Sequence, residues 1–134
     1  MSIKVTRAGN GLFNLVKELG RVKNFTSMLK EIGQSLEAST KLRFNTSTDP
    51  EGDRWEPSKR VLRQGRGRTL VETGRLQKSI SYASDSNEVN IGTDVPYAEK
   101  HQEGLDGLPK REFLGISQKD EQEIERIVQK HVEG

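Results

Sequence analysis

The strongest constraint on this chain is a stripe of apolar residues. Val22, Phe25, Leu29, Ile32 and Leu36 follow one another at steps of three or four, and Leu42 and Phe44 extend the run. That spacing puts them on one face of an amphipathic helix over 21–45. Lys23, Lys30, Glu31, Glu37, Lys41 and Arg43 fall mostly on the other faces. Gly33 interrupts the stripe and costs about 1 kcal/mol in a helix interior, which points to close packing there. A second stripe, Ile124, Ile127, Val128 and Val132, predicts a helix over 117–132. Ser117 and Asp120 stand at capping-box spacing before it, with Asp in place of the usual Glu. Acids fill its first turns and Lys130 and His131 its last, in the sense that suits the helix dipole.

Between the helices the period changes. Val89 and Ile91 alternate with Asn90, as in a half-buried strand, and the polar run 84–88 before them is a natural turn. Ile3 and Val5 predict another short strand. Residues 70–83, with Leu76, Ile80 and Tyr82, read as a strand whose opening turn is made by Thr73 and Gly74. A short helix is expected within 12–19, and another over 96–102, stopped by Gly104. The expected fold is α+β: a small antiparallel sheet packed against two longer amphipathic helices, with long irregular loops. The helices are expected to cover one face of the sheet, in a single domain over 1–134.

The loops are 46–69 and 104–116. The first holds Trp55, the only Trp of the chain, then Lys59, Arg60, Arg63, Arg66 and Arg68 with no acid among them. A Trp ring in a polar loop needs a place to be buried, so Trp55 should pin the loop to the core or to a neighbouring subunit. The basic run reads either as a phosphate-binding strip or as a surface loop that stays mobile until a partner orders it. The aromatic interleaving that single-strand stacking uses is missing.

Composition excludes several function classes. Only 31% of residues are apolar, the net charge is +2 and there is no Cys. A disulfide scaffold, a thiolate metal site and a Cys nucleophile are therefore impossible. The two His, His101 and His131, have no metal-ligand spacing. No phosphate loop or nucleophile elbow occurs. Asp49, Glu51 and Asp53 alternate like calcium ligands, but Pro50 intrudes and no closing acid follows. His101 with Glu99, Glu103 and Tyr97 is the most enzyme-like cluster, and it lacks a nucleophile or base partner. No membrane span and no secretory leader are expected. Catalysis, cofactors and metals are not expected.

Four segments stand in order across 50–116. They are Pro50, Gly52, Trp55 and Pro57; then Leu70, Thr73, Gly74, Leu76, Ser79 and Ile80; then Ile91, Gly92, Tyr97, Ala98, His101, Gln102 and Gly104; and finally Arg111, Phe113, Leu114 and Gly115. Together they resemble the phage virion morphogenesis family, the tail-completion proteins of Mu-like and related tailed phages and prophages. Glu112 stands where that family often has Pro. The resemblance implies a structural protein that completes a tail or joins tail to head. It would work in the virion as a homo-oligomeric ring against other tail or neck proteins, after assembly in the host cytoplasm. A sequence-nonspecific nucleic-acid-binding module using 59–68 is the alternative. Expected partner-binding residues are Trp55, Lys59, Arg60, Arg63, Arg66, Arg68, Tyr97, His101, Gln102, Arg111 and Phe113.

Overall fold

A computed structural model describes residues 2–6, 24–65, 67, 69 and 74–133. The elements run β1 (Ser2–Thr6), α1 (Phe25–Thr46), α2 (Lys59–Gln64), α3 (Arg75–Ser79), β2 (Ser81–Ser84), β3 (Glu88–Gly92), α4 (Ala98–Glu103) and α5 (Gln118–Glu133). The helix expected within 12–19, together with Val22, Arg66, Arg68 and Thr73, lies outside the described residues.

The sheet is antiparallel, in the order β1-β3-β2. Ile3 pairs with Ile91 and Val5 with Val89 on one side, and Tyr82 pairs with Ile91 on the other. Val89 and Ile91 are fully buried, as their alternation requires. The turn before β3 is closed by Asp85, whose Oδ1 accepts from the backbone N–H of Asn87 (2.7 Å) and Glu88 (2.9 Å).

Helix α1 carries Phe25, Leu29, Ile32, Leu36 and Phe44 on its buried side, whereas Leu42, expected to extend the stripe, is 57% exposed because it lies six residues from Leu36 and so faces away. Asn24 starts it, accepting from Ser27 N at 3.0 Å. It ends at Ser47, in the left-handed region at φ 55°, whose N–H returns to the Arg43 carbonyl. α1 packs on β2 and β3, while α5 packs chiefly along α1. Glu31 of α1 joins the two helices: Lys130 Nζ donates to its Oε1, and His131 Nε2 lies 2.7 Å from its Oε2. The Lys130 hydrogen bond, then that from His131, holds the Glu31 carboxyl below its ordinary pKa. The capping box before α5 is present: Asp120 N donates to Ser117 Oγ and Ser117 N to Asp120 Oδ2, both at 3.0 Å.

Two expectations need correction. Residues 75–79 form a helical turn, not part of a strand. Leu76 and Ile80 are four apart, and both are buried. Gln77 locks the turn onto α1 by donating to the Lys41 carbonyl (2.9 Å) and to Asn45 Oδ1 (3.0 Å). Gly74 therefore caps a helix and does not open a strand. The segment 46–69 is not irregular throughout, because it contains α2. Ser58 Oγ accepts from Val61 N (3.2 Å), and Gly65 N returns to the Val61 carbonyl (2.9 Å). Those two caps suit a short helix, and Thr69 Oγ1 steadies its start by accepting from Ser58 N (3.1 Å).

Gly33 shows how closely α1 sits on the sheet. A methyl group there would stand 2.5 Å from Tyr82 Cδ2 and 2.9 Å from Val89 Cγ2. In an exposed helix Gly→Ala stabilises by about 1 kcal/mol. Here the sign reverses: Gly33→Ala is expected to destabilise by about 1–3 kcal/mol, the range for overpacking. Denaturant titration checks this, and a more stable Gly33→Ala protein would contradict the close packing.

Candidate functional site

The motif segments converge on one hydrogen-bonded knot. Arg43, near the end of α1, is 5% exposed. Its Nη1 donates to the Phe113 carbonyl (2.7 Å) and the Gly115 carbonyl (3.2 Å), and its Nη2 to Asp120 Oδ2 (2.7 Å). Burial pulls the Arg43 pKa down against the opposing pull of Asp120. From α4, Gln102 closes the same loop. Its Oε1 accepts from Phe113 N and Leu114 N (both 3.0 Å), and its Nε2 donates to the Leu114 carbonyl (2.8 Å). Arg111 N donates to the His101 carbonyl (2.7 Å), and Arg111 Nε to the Glu56 carbonyl (2.8 Å). Trp55 Nε1 donates to the Glu112 carbonyl (2.9 Å). Gly115 lets Pro50 lie against the loop, since a methyl there would meet Pro50 Cγ at 2.6 Å.

The expected contact residues therefore divide. Trp55, Gln102, Arg111 and Phe113 are buried and spent on internal contacts. As partner-facing side chains these four are corrected: bare loop carbonyls and N–H groups need partners when buried, which Trp55, Gln102 and Arg111 supply, while the Phe113 ring packs in the core beside Phe44. Trp55 pins its loop to the core, edge-on to Phe44 at 5.6 Å between ring centroids. Lys59 and Arg63 are exposed on α2, and Arg60 is half-buried. Tyr97 and His101 are half-buried and meet edge to face at 6.0 Å, with the Arg75 guanidinium 5.7 Å from the Tyr97 ring centre. Sequence reasoning missed Arg43 and Asp120 as a pair. A signal existed for the burial of Arg43, which stands seven residues after Leu36 and so shares its stripe, but none for its partner.

His101 sits in this region with its Nδ1 buried and unpartnered among the described residues. Burial first, and the Arg111 charge second, lower its pKa below the ordinary His value. The unfolded chain then takes up a proton before the folded chain does. Stability from this group is therefore intact above about pH 6.5 and falls as the pH drops toward the lower folded value. His101→Leu is expected to remove that part of the acid limb in a pH series of thermal melts. A limb unchanged by the substitution would assign it elsewhere.

Outside the knot, an open groove of about 440 Å³ runs between the end of α1, the turn at 48–52 and the start of α5. Leu42, Pro50, Asp49, Glu51 and Lys119 line it. A smaller hollow of about 270 Å³ adjoins it, bordered by Asp49, Glu51, Glu56 and Glu112 with Arg54 and Lys110. Among the described residues no group of three or more His, Asp or Glu is placed to hold a metal ion, and no helix is long and apolar enough to cross a membrane.

The sequence profile of the phage virion morphogenesis family matches residues 3–133. The chain is also similar to the protein named "Mu-like prophage FluMu G protein 2" of Haemophilus influenzae strain Rd. The two are 30% identical over 109 residues, covering 76% of this chain and 74% of that protein. No solved structure matches. A profile match over almost the whole length, on a fold whose motif residues tie one another together, makes this chain a member of the phage virion morphogenesis family.

Proposed function

We propose that this protein completes the tail end of a tailed phage, or joins tail to head, as a ring-forming subunit acting through its surfaces. The observation that carries the reading is the knot. Apart from His101, whose Nδ1 has no partner among the described residues, its polar side chains are engaged with backbone or with each other: Arg43 with Asp120 and two carbonyls, Gln102 with Phe113 and Leu114, Arg111 with Glu56. Groups held this way stiffen loops and are not poised for bond-making. The loops they stiffen carry a basic helix and an acidic rim outward, features suited to recognising other proteins. Family membership supports a virion role, and tail completion is the finer reading.

The test is genetic and visual. Particles made without the protein should show heads and tails that fail to unite, or tails with defective ends, in negative-stain images. Normal infectious particles would refute the reading.

The nucleic-acid alternative rests on Lys59 and Arg63, exposed on a helix with no acid among its residues. Against it, the most exposed large apolar residue of the basic face, Leu62, has nothing to gain from phosphate. DNA affinity measured against salt decides: an unchanged affinity in a Lys59→Ala/Arg60→Ala/Arg63→Ala variant eliminates it.

A further inference from the structure

We propose that copies of this chain meet head to tail, with α2 of one copy seated in the groove between the end of α1 and the start of α5 of the next. This rests on the ring-subunit reading above and names the two surfaces it would use. Leu62 is 69% exposed on α2, with Lys59 and Arg63 beside it on the same short helix. Leu42 is 57% exposed where it lines the groove, next to Pro50. Neither leucine is covered by the described residues of its own chain. The groove lining carries the carboxylates of Asp49 and Glu51 and two cations, Lys119 and Arg43, of which Arg43 is buried and already paired with Asp120, so that Lys119 is the cation left to oppose the acids at the rim. An apolar knob flanked by cations thus matches an apolar hollow flanked mainly by acids.

The charges supply orientation and exclude other registers, while the leucines supply the buried area. Because knob and hollow are different surfaces, the contact is heterologous. It closes into a ring when the rotation per copy divides a full turn. α2 is held for the purpose: Ser58 N donates to Thr69 Oγ1, and Trp55, three residues earlier, is locked to the Glu112 carbonyl. A DNA backbone is the competing occupant of α2, but it would leave Leu62 without a partner.

The chain has no Cys, so introduced thiols report without background. Leu62→Cys and Leu42→Cys chains are mixed and mildly oxidised, both as pure protein and in purified particles. The mixture should form covalent dimers, each single variant alone should not, and a chain carrying both changes should give a ladder. In parallel, Arg63→Glu and Glu51→Arg should each weaken self-association at least about tenfold in sedimentation, and the two combined in one chain should recover it. All these residues are exposed, so folding is not at stake. Cross-linking of the mixture no greater than that of the single variants, in both settings, overturns the proposal. So does loss of DNA binding in Arg63→Glu without any change in self-association. Particles that need the protein yet show no cross-link reject these surfaces and leave the assembly role standing. Normal particles made without the protein reject the role itself.

Discussion

Replacing Arg43 by alanine is expected to lower the thermal midpoint by roughly 10–20 °C, the consequence of breaking a buried ion pair at about 3–5 kcal/mol. The guanidinium satisfies the Phe113 and Gly115 carbonyls as well as Asp120, so its loss strands two carbonyls and leaves Asp120 Oδ2 with only Ser117 N. Asp120 is 3% exposed and would be left as an uncompensated charge. Arg43→Lys should recover only part of the loss, because a single ammonium cannot reproduce the fork that spans loop and helix. A buried pair can often be replaced by apolar residues at little cost. That should fail here: Arg43→Met with Asp120→Leu still leaves two loop carbonyls bare and removes the acceptor for Ser117 N. Melts of the unsubstituted protein, Arg43→Met, Asp120→Leu and their combination form a double-mutant cycle. An Arg43→Ala loss below about 1 kcal/mol would show that the pair does not hold the loop.

The parts of this fold that could be read from sequence are those built by near neighbours. The α1 stripe from Phe25 to Leu36, the Val89–Ile91 alternation and the Ser117–Asp120 box are local patterns, and each appears where expected, while Leu42 turns outward. The misreadings have local causes too. Leu76 and Ile80 satisfy helical spacing, but the strand that follows drew them into its period. α2 was obscured by its charge, although Ser58 and Gly65 are ordinary cap residues. Long-range polar pairing was not legible. Arg43 bonds to carbonyls 70 and 72 positions away, and Trp55 to one 57 positions away. Nothing in residue type says which distant carbonyl an Arg or Trp will reach. The same holds for Gln102, Arg111 and Phe113, whose chemistry suits an interface and an interior loop equally well. The exposed candidates, Lys59 and Arg63, were visible because an acid-free run of cations has few internal uses.

Trp55→Ala is the second large effect, expected at about 3–5 kcal/mol from the cavity it leaves. The ring is 5% exposed and meets Phe44 edge-on at 76°, and Phe44 in turn lies 5.5 Å from Phe113. Removing it empties one end of an aromatic row that reaches from the 46–58 loop into the core. Glu112 also loses the donor to its carbonyl. Trp55→Phe separates the two contributions: it keeps most of the packing and gives up the hydrogen bond, so about 1–2 kcal/mol is expected. The site also provides its own probe. As the only Trp, Trp55 should emit as a buried indole in the folded protein and shift to the red on unfolding. If the loop is part of the same cooperative unit as α1, that shift must coincide with the loss of helical circular dichroism in denaturant. A red shift that precedes the helix transition would mean that the loop opens alone. Trp55 would then not be the anchor that fixes α2 in space, and the two surfaces proposed to meet between copies would lack a rigid base.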